Sequence, residues 1–322
     1  MGMLVKGRWH DEWYDIKSSG GEFIRPDAQF RHWVTSDGLS GPTGDGGFLA
    51  ESGRYHLFVS LACPWAHRTL IFRVLKQLES CIGYTVVDPI MLDKGWEFSE
   101  VSKNSPEEGL DYLFQLYTLV DAEYSGRVTV PVLWDKQQRT IVNNESSEII
   151  RMLNSSFPSS RDTWDYYPAL LRKIIDRVNQ RVYHTINNGV YRAGFATEQS
   201  AYEKAFDELF GTMSWLEELL SQQRYLAGDQ ITEADWRLFT TLIRFDAVYY
   251  GHFKTNLKRI EDYHYLSNYL RDLYQQPGIA ETVNFDHIKR HYFSSHTMIN
   301  PTQIVPKGPE LDFMRPHDRE DY

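Results

Sequence analysis

The chain is 322 residues long, enough for about two domains that each bury a core, and its 42% hydrophobic and 24% charged residues are those of an ordinary globular protein. A net charge of −10 excludes a partner held by a basic patch, nucleic acid above all, because such affinity comes from lysine and arginine on phosphates. Two cysteines build no disulfide framework, no signal peptide opens the chain and no run approaches the roughly 20 apolar residues of a spanning helix, so a soluble protein of the reducing cytoplasm is expected, free of membrane.

Residues 1–50 read as an irregular extension in which Trp9, Trp13, Tyr14, Phe23, Phe30 and Trp33 are scattered without a period and must pack on something. The aromatic content is high at 14%, which suits a site for flat apolar ligands, although a large aromatic core accounts for most of it. Gly38 to Gly47 reads as a turn-rich linker, because no Gly-Lys-Ser/Thr follows it to make a phosphate loop. Next comes the stretch that carries chemistry. Tyr55, Leu57 and Val59 alternate with Arg54, His56, Phe58 and Ser60, a strand pattern, and Ala66, Leu70, Val74 and Leu78 then recur at helical spacing with Arg68, Arg73, Lys76 and Gln77 on the polar side. Cys63 stands at the junction, and Pro64 fits a first helical turn. A helix N-terminus carries unpaired N–H groups and roughly half a positive charge, which favours a thiolate over a thiol of free pKa about 8.5. A small buried hydrophobe is the alternative use of such a cysteine. Ala66 occupies the place of a second cysteine in a Cys-Xaa-Xaa-Cys motif, and Cys81 would lie roughly 27 Å off if the helix continued that far at about 1.5 Å per residue. The site reads as a monothiol that an outside thiol must resolve.

Tyr84 to Val87 is a second strand, completing a βαβ unit, and 93–127 is a long polar loop with a short helix around Tyr112 to Val120. Val128 to Trp134 reads as a strand broken by Pro131; thioredoxin-like folds carry a cis-proline at such a place, while the sequence itself leaves the Val130–Pro131 bond at its trans default. After the strand Thr140 to Val142, Asn143-Asn144-Glu145-Ser146-Ser147-Glu148 opens a helix. That helix start can cap itself or bind a ligand carboxylate through its N–H groups, with Ser146 adding a hydroxyl and Glu145 meeting an ammonium. Beyond Pro158 the patterns become long and helical: Leu170, Ile174, Val178, Val182 and Ile186, then Tyr202 to Leu220, then Arg237 to Tyr249, with a capping box at Thr232 to Asp235. His287 and His291 are four apart but lack a third ligand and the Glu of the metalloprotease motif, so no metal is expected. The tail from Pro301 to Tyr322 has no period and is expected on the surface or disordered.

The fold class expected is an α/β thioredoxin-like N-terminal domain plus an all-α C-terminal domain, with an extension over 1–50, a glutathione-binding domain over 51–157, a helical second-substrate domain over 158–300 and a tail over 301–322. This combination resembles the cytosolic glutathione transferases. The segments Ser60-Leu61-Ala62-Cys63-Pro64-Trp65-Ala66-His67-Arg68, Gly126-Arg127-Val128-Thr129-Val130-Pro131-Val132, Asn143-Asn144-Glu145-Ser146 and Asn187-Asn188-Gly189-Val190-Tyr191 resemble those of the glutathionyl-hydroquinone reductases, the Xi class, with only Phe98 to Leu110 unlike that pattern. The resemblance implies that Cys63 is catalytic and that Trp96, Arg127, Val128, Glu145 and Ser146 hold the co-substrate glutathione. It implies further that Tyr191 and Tyr292 face the second substrate and that the enzyme is a homodimer. The reaction implied is reduction of a glutathionyl-hydroquinone to the hydroquinone through a Cys63–glutathione mixed disulfide. An Omega-like thiol transferase or dehydroascorbate reductase, and a non-catalytic scaffold of the same fold, are the alternatives.

Overall fold

The computed structural model describes residues 2–16, 18–99, 102, 104–158 and 163–322. The chain divides into two compact units, each built from segments apart in sequence: Met1–Trp13, Pro26–Asp165 and Thr282–Ser295 form the first, and Tyr14–Arg25, Tyr166–Glu281 and His296–Tyr322 the second. Packing therefore crosses the expected chain order of 51–157 and 158–300, since a helix from the end of the helical half counts in the first unit. Residues 159–162, at the expected boundary, lie outside the described residues.

At the centre of the first unit is a four-stranded sheet. β5 (Tyr55–Val59) pairs parallel with β6 (Gly83–Val86) and antiparallel with β8 (Val132–Asp135), which pairs antiparallel with β9 (Thr140–Asn143). Between β5 and β6 runs α1 (Pro64–Leu75), the expected βαβ unit. All five residues of β5 are buried, so the alternation read from the sequence does not mark a wet face. An inner strand covered on both sides buries its polar residues too, and His56 spends its Nε2 on Thr85 Oγ1 at 2.8 Å. Arg68 and Lys76, read as the polar side of α1, are likewise buried; the Lys76 ammonium donates to Trp164 O at 2.7 Å, and burial lowers its pKa to about 8. The helix stops at Leu75, and Gln77 turns left-handed at φ 54°, so the helix does not carry Cys81 away from Cys63.

The N-terminal segment is more regular than expected. β1 (Met3–Val5) and β2 (Arg8–His10) pair antiparallel, and β1 also pairs with β7 (Gly126–Arg127). Gly7 makes the turn at φ 71°, where an added Cβ would lie 1.9 Å from Ala122 O. β3 (Trp33–Thr35) and β4 (Gly47–Leu49) pair in parallel across the glycine tract. The scattered tryptophans explain this order: Trp9 stacks on Phe114 with ring centroids 5.0 Å apart and donates to Asp93 O at 2.7 Å, and Trp33 donates to Thr43 Oγ1 at 2.7 Å. In the long loop, α2 (Leu113–Val120) forms where expected, its start closed by Gln115 Oε1, which accepts from the amides of Asp111 and Tyr112. Glu100, Val101 and Lys103 of the loop lie outside the described residues. The Val130–Pro131 bond is cis, which corrects the trans default. α3 (Ser146–Ser155) follows β9.

The second unit is helical, as expected. α4 (Arg172–Val182) passes through a π-helical turn at Tyr183–Asn187 into α5 (Gly189–Gly194), followed by α6 (Gln199–Leu220), α7 (Glu233–Arg244) with a second π-helical turn at Phe245–Tyr249, and α8 (His264–Tyr274). The sequence pattern begins too early: Leu170 precedes α4 and is exposed. The Thr232–Asp235 capping box is present, Asp235 Oδ2 accepting from Thr232 N at 2.7 Å and Oγ1 at 3.0 Å while Oδ1 accepts from Tyr269 at 2.9 Å. The tail is not loose. Arg319 is fully buried and donates at 2.6–2.9 Å to the carbonyl of Leu220, an orphan acceptor at the last residue of α6, and to those of Gln223 and Arg224 just beyond it. No helix among the described residues is long and apolar enough to cross a membrane.

Candidate functional site

Cys63 is the N-cap residue of α1, with φ −74° and ψ 121°, so the chain leaves β5 extended and turns helical at Pro64. Its N–H donates to Ser60 O at 3.1 Å and its carbonyl accepts from His67 N at 3.0 Å. The thiol is 9% exposed and lies 3.6 Å from Val130 O, the carbonyl that precedes the cis proline. The positive end of the α1 dipole thus lies beside the Cys63 sulfur, a setting that stabilises negative charge there. Both cysteines are free thiols; Cys81 lies in the turn after α1, its Sγ 3.9 Å from Ser80 Oγ.

Arg68 ties this helix to the start of α3. Its guanidinium lies 4.6 Å from the Trp65 ring centroid and donates to Ser146 Oγ at 3.4 Å. The N-cap of α3 is Glu145, not Ser146: Glu145 Oε1 accepts from Ser147 N at 2.9 Å and Ser147 Oγ at 2.8 Å, and Asn143 Oδ1 accepts from Glu145 N at 2.7 Å. One turn on, Glu148 is half of a buried network, receiving Arg31, Asn143 Nδ2 at 2.8 Å and Thr43 Oγ1 at 2.7 Å. Burial pushes the Glu148 carboxyl up, but these bonds outweigh it and hold it below the usual carboxylate range.

The backbone at Arg127–Val128 is positioned from beneath. Tyr117 donates its hydroxyl to Thr129 O at 2.9 Å and accepts from Thr129 N at 3.2 Å, and Asn144 Nδ2 donates to the same hydroxyl at 3.2 Å. Val128 is buried, while the Arg127 guanidinium donates to the carbonyls of Glu12 and Trp13. Trp96 is buried, with its carbonyl accepting from Leu113 N at 2.9 Å, and its indole stacks on His291, ring centroids 5.0 Å apart and planes 20° apart. Tyr292, buried, follows on α9 (Phe285–Ser295), in the first unit. Tyr191 is in the second unit, on α5, packed among Phe195, Tyr249 and Phe253 with the Arg25 guanidinium 5.0 Å from its centroid. Cys63, Trp96, Arg127, Val128, Glu145, Ser146 and Tyr292 therefore belong to one unit, and Tyr191 to the other.

Sequence reasoning missed Arg68 and His291. The signal for Arg68 was faint, a lone cation one turn after Cys63. His291 was read only against metal binding, and among the described residues no group of three or more His, Cys, Asp or Glu could hold a metal ion.

Family models described as glutathione S-transferase, N-terminal domain and glutathione S-transferase, C-terminal domain match residues 62–156 and 199–272. The chain is 56% identical to glutathionyl-hydroquinone reductase YqjG of Escherichia coli (strain K12) over 324 residues, 99% of each chain, and the glutathione-bound structure of YqjG superposes with a TM-score of 0.91 over 99% of each. It is 54% identical to glutathionyl-hydroquinone reductase PcpF of Sphingobium chlorophenolicum over 96% of both chains. A Xi class glutathione transferase from Natrialba magadii is 48% identical in structural alignment, with a TM-score of 0.92 over 100% of this chain and 98% of that one. A thiol at the junction of strand and helix, a thioredoxin-like sheet, a helical second unit and full-length likeness to these proteins agree on one conclusion: the chain belongs to the glutathionyl-hydroquinone reductases, the Xi class of the glutathione transferase family.

Proposed function

We propose that the chain reduces glutathionyl-hydroquinones to hydroquinones with glutathione as reductant. The observation that carries this reading is identity above 50% to two such reductases along the length of the chain, with Cys63 capping a helix in which Ala66 leaves no neighbouring thiol. The Cys63 thiolate attacks the sulfur of the conjugate. The carbon–sulfur bond breaks, its electron pair passes to the ring carbon, which takes up a proton, and Cys63 is left in a disulfide with glutathione. A second glutathione attacks this disulfide, leaving as oxidised glutathione and restoring the thiolate.

In this reading the domain over 51–157 binds glutathione. Trp96 covers the glycyl end, the backbone and side chain at Arg127 and Val128 hold the middle, and Glu145 with Ser146 takes the γ-glutamyl end. Tyr292, on α9 of the first unit, and Tyr191, on α5 of the second, are the residues assigned to hydrogen-bond a quinol oxygen. The enzyme works as a homodimer in the cytoplasm, without a metal. Turnover of a glutathionyl-hydroquinone with free glutathione, measured beside turnover of dehydroascorbate, tests the proposal. Efficient reduction of the first supports it; activity on dehydroascorbate alone transfers the assignment to an Omega-like thiol transferase, and activity on neither leaves a scaffold.

A further inference from the structure

The segment Thr282–Ser295, which contains α9, is tied to the rest of the first unit by three hydrogen bonds. His67, four residues after Cys63, faces Thr282 Oγ1 with its Nε2 at 2.8 Å; Ser295 Oγ accepts from Met91 N at 2.9 Å; and His291 Nδ1 lies 2.8 Å from Pro89 O. A carbonyl only accepts, so His291 Nδ1 carries its proton and the ring orientation is fixed. That ring is 6% exposed and stacks on the Trp96 indole, itself 6% exposed, at 5.0 Å and 20°. The Trp96 backbone is held by Leu113 N and by the Glu97–Tyr112 bridge, which leaves the indole to be oriented by what it packs on, and the ring stacked on it is that of His291.

We propose that His291 is a positioning residue for glutathione: held by Pro89 O, it fixes the indole plane of Trp96. The proposal rests on the assignment of Trp96 to glutathione made above. A pre-set ring binds without first being ordered, so the stack acts on affinity for glutathione more than on the chemical step.

The test is a double-mutant cycle on the full-length protein, with glutathione binding measured by calorimetry and steady-state constants alongside. His291→Asn keeps a donor near Nδ1 for Pro89 O and removes the ring, so docking of α9 is retained while the stack is lost. It weakens glutathione binding and raises its KM by about three- to tenfold, with kcat kept within about twofold. His291→Phe, which keeps a ring against the indole, recovers most of that affinity. In a Trp96→Ala background, His291→Asn adds less than about a twofold loss. Equal losses in both backgrounds, or unchanged affinity in His291→Asn, overturn the proposal while wild-type binding and turnover leave the assigned function standing. A wild type that does not bind glutathione, or a Trp96→Ala variant that binds it as before, removes the assignment on which the proposal rests and the proposal with it.

Discussion

At the scale of residues, the chemistry turns on how a few side chains are charged and held. Cys63 faces a helix N-terminus, and the field there lowers a thiol pKa below its free value of about 8.5. With Cys81 replaced by Ala, the rate of Cys63 alkylation against pH should inflect clearly below that value; an inflection at or above it contradicts a poised thiolate. Glu145 has a structural duty as N-cap and a proposed one toward the glutathione ammonium, and the two separate by substitution. Glu145→Gln keeps an acceptor for Ser147 N and removes the charge, so it should melt within about a degree or two of wild type yet bind glutathione about tenfold more weakly. Glu145→Ala loses both and should also cost about 0.5–2 kcal/mol of stability. Full affinity in Glu145→Gln would leave the cap as the residue's whole role. The Glu145 helix start was legible because Asn, Ser and early carboxylates mark helix N-termini. Which of them caps was not, because Glu145 and Ser146 both carry an acceptor within reach of the first amides.

At the scale of elements, the β5–α1 junction was legible because side-chain period changes from two to nearly four across Cys63 and Pro64. The burial of Arg68, Lys76 and His56 was not, because a pattern reading assigns polar residues to water, whereas an inner strand and a helix covered on both sides satisfy them with Ser146, Trp164 and Thr85. His56 carries a pH signature. Burial, with smaller contributions from Lys136 and Arg73, lowers its pKa to about 4, against an ordinary value of about 6.5 in the unfolded chain. The unfolded state then binds more protons between these values, so stability is intact above pH about 6.5 and is lost as pH falls toward 4, by an amount on the order of 3 kcal/mol. His56→Gln, which still offers Thr85 a hydrogen-bonding group, should flatten the melting temperature across that window relative to wild type. An unaltered pH profile would mean that other groups carry the acid sensitivity.

At the scale of the whole molecule, a chain in two units reads in sequence as two domains in order, and the assignment of the segment Thr282–Ser295, with α9, to the first unit was hidden because its docking residues, Thr282, His291 and Ser295, carry no pattern of their own. The tail from Pro301 to Tyr322 lies on the surface, one of the two states its composition allows, but what ties it down was not legible: Arg319 donates to three carbonyls, and Arg271 and Gln275 donate to the carbonyls of Pro316, Phe313 and Arg315. Arg319→Ala should therefore destabilise the protein by about 2–3 kcal/mol and open the tail to proteases, and a melting point equal to wild type would show the anchor to be without weight. The cycle proposed for the whole enzyme needs one thiol. With Ala66 in place of a resolving cysteine, attack on the conjugate must halt at the mixed disulfide until a second glutathione arrives. Because α1 ends at Leu75, helix geometry no longer keeps Cys81 at a distance, and experiment must exclude it as a resolver. The direct measurement is peptide mass spectrometry of enzyme mixed with a glutathionyl-hydroquinone alone. One glutathione should be found on the peptide containing Cys63, in wild type and in Cys81→Ala alike, and be released on adding free glutathione, while Cys63→Ala neither takes up the label nor turns over. Turnover retained by Cys63→Ala, or a Cys63–Cys81 disulfide required for turnover, would contradict the account.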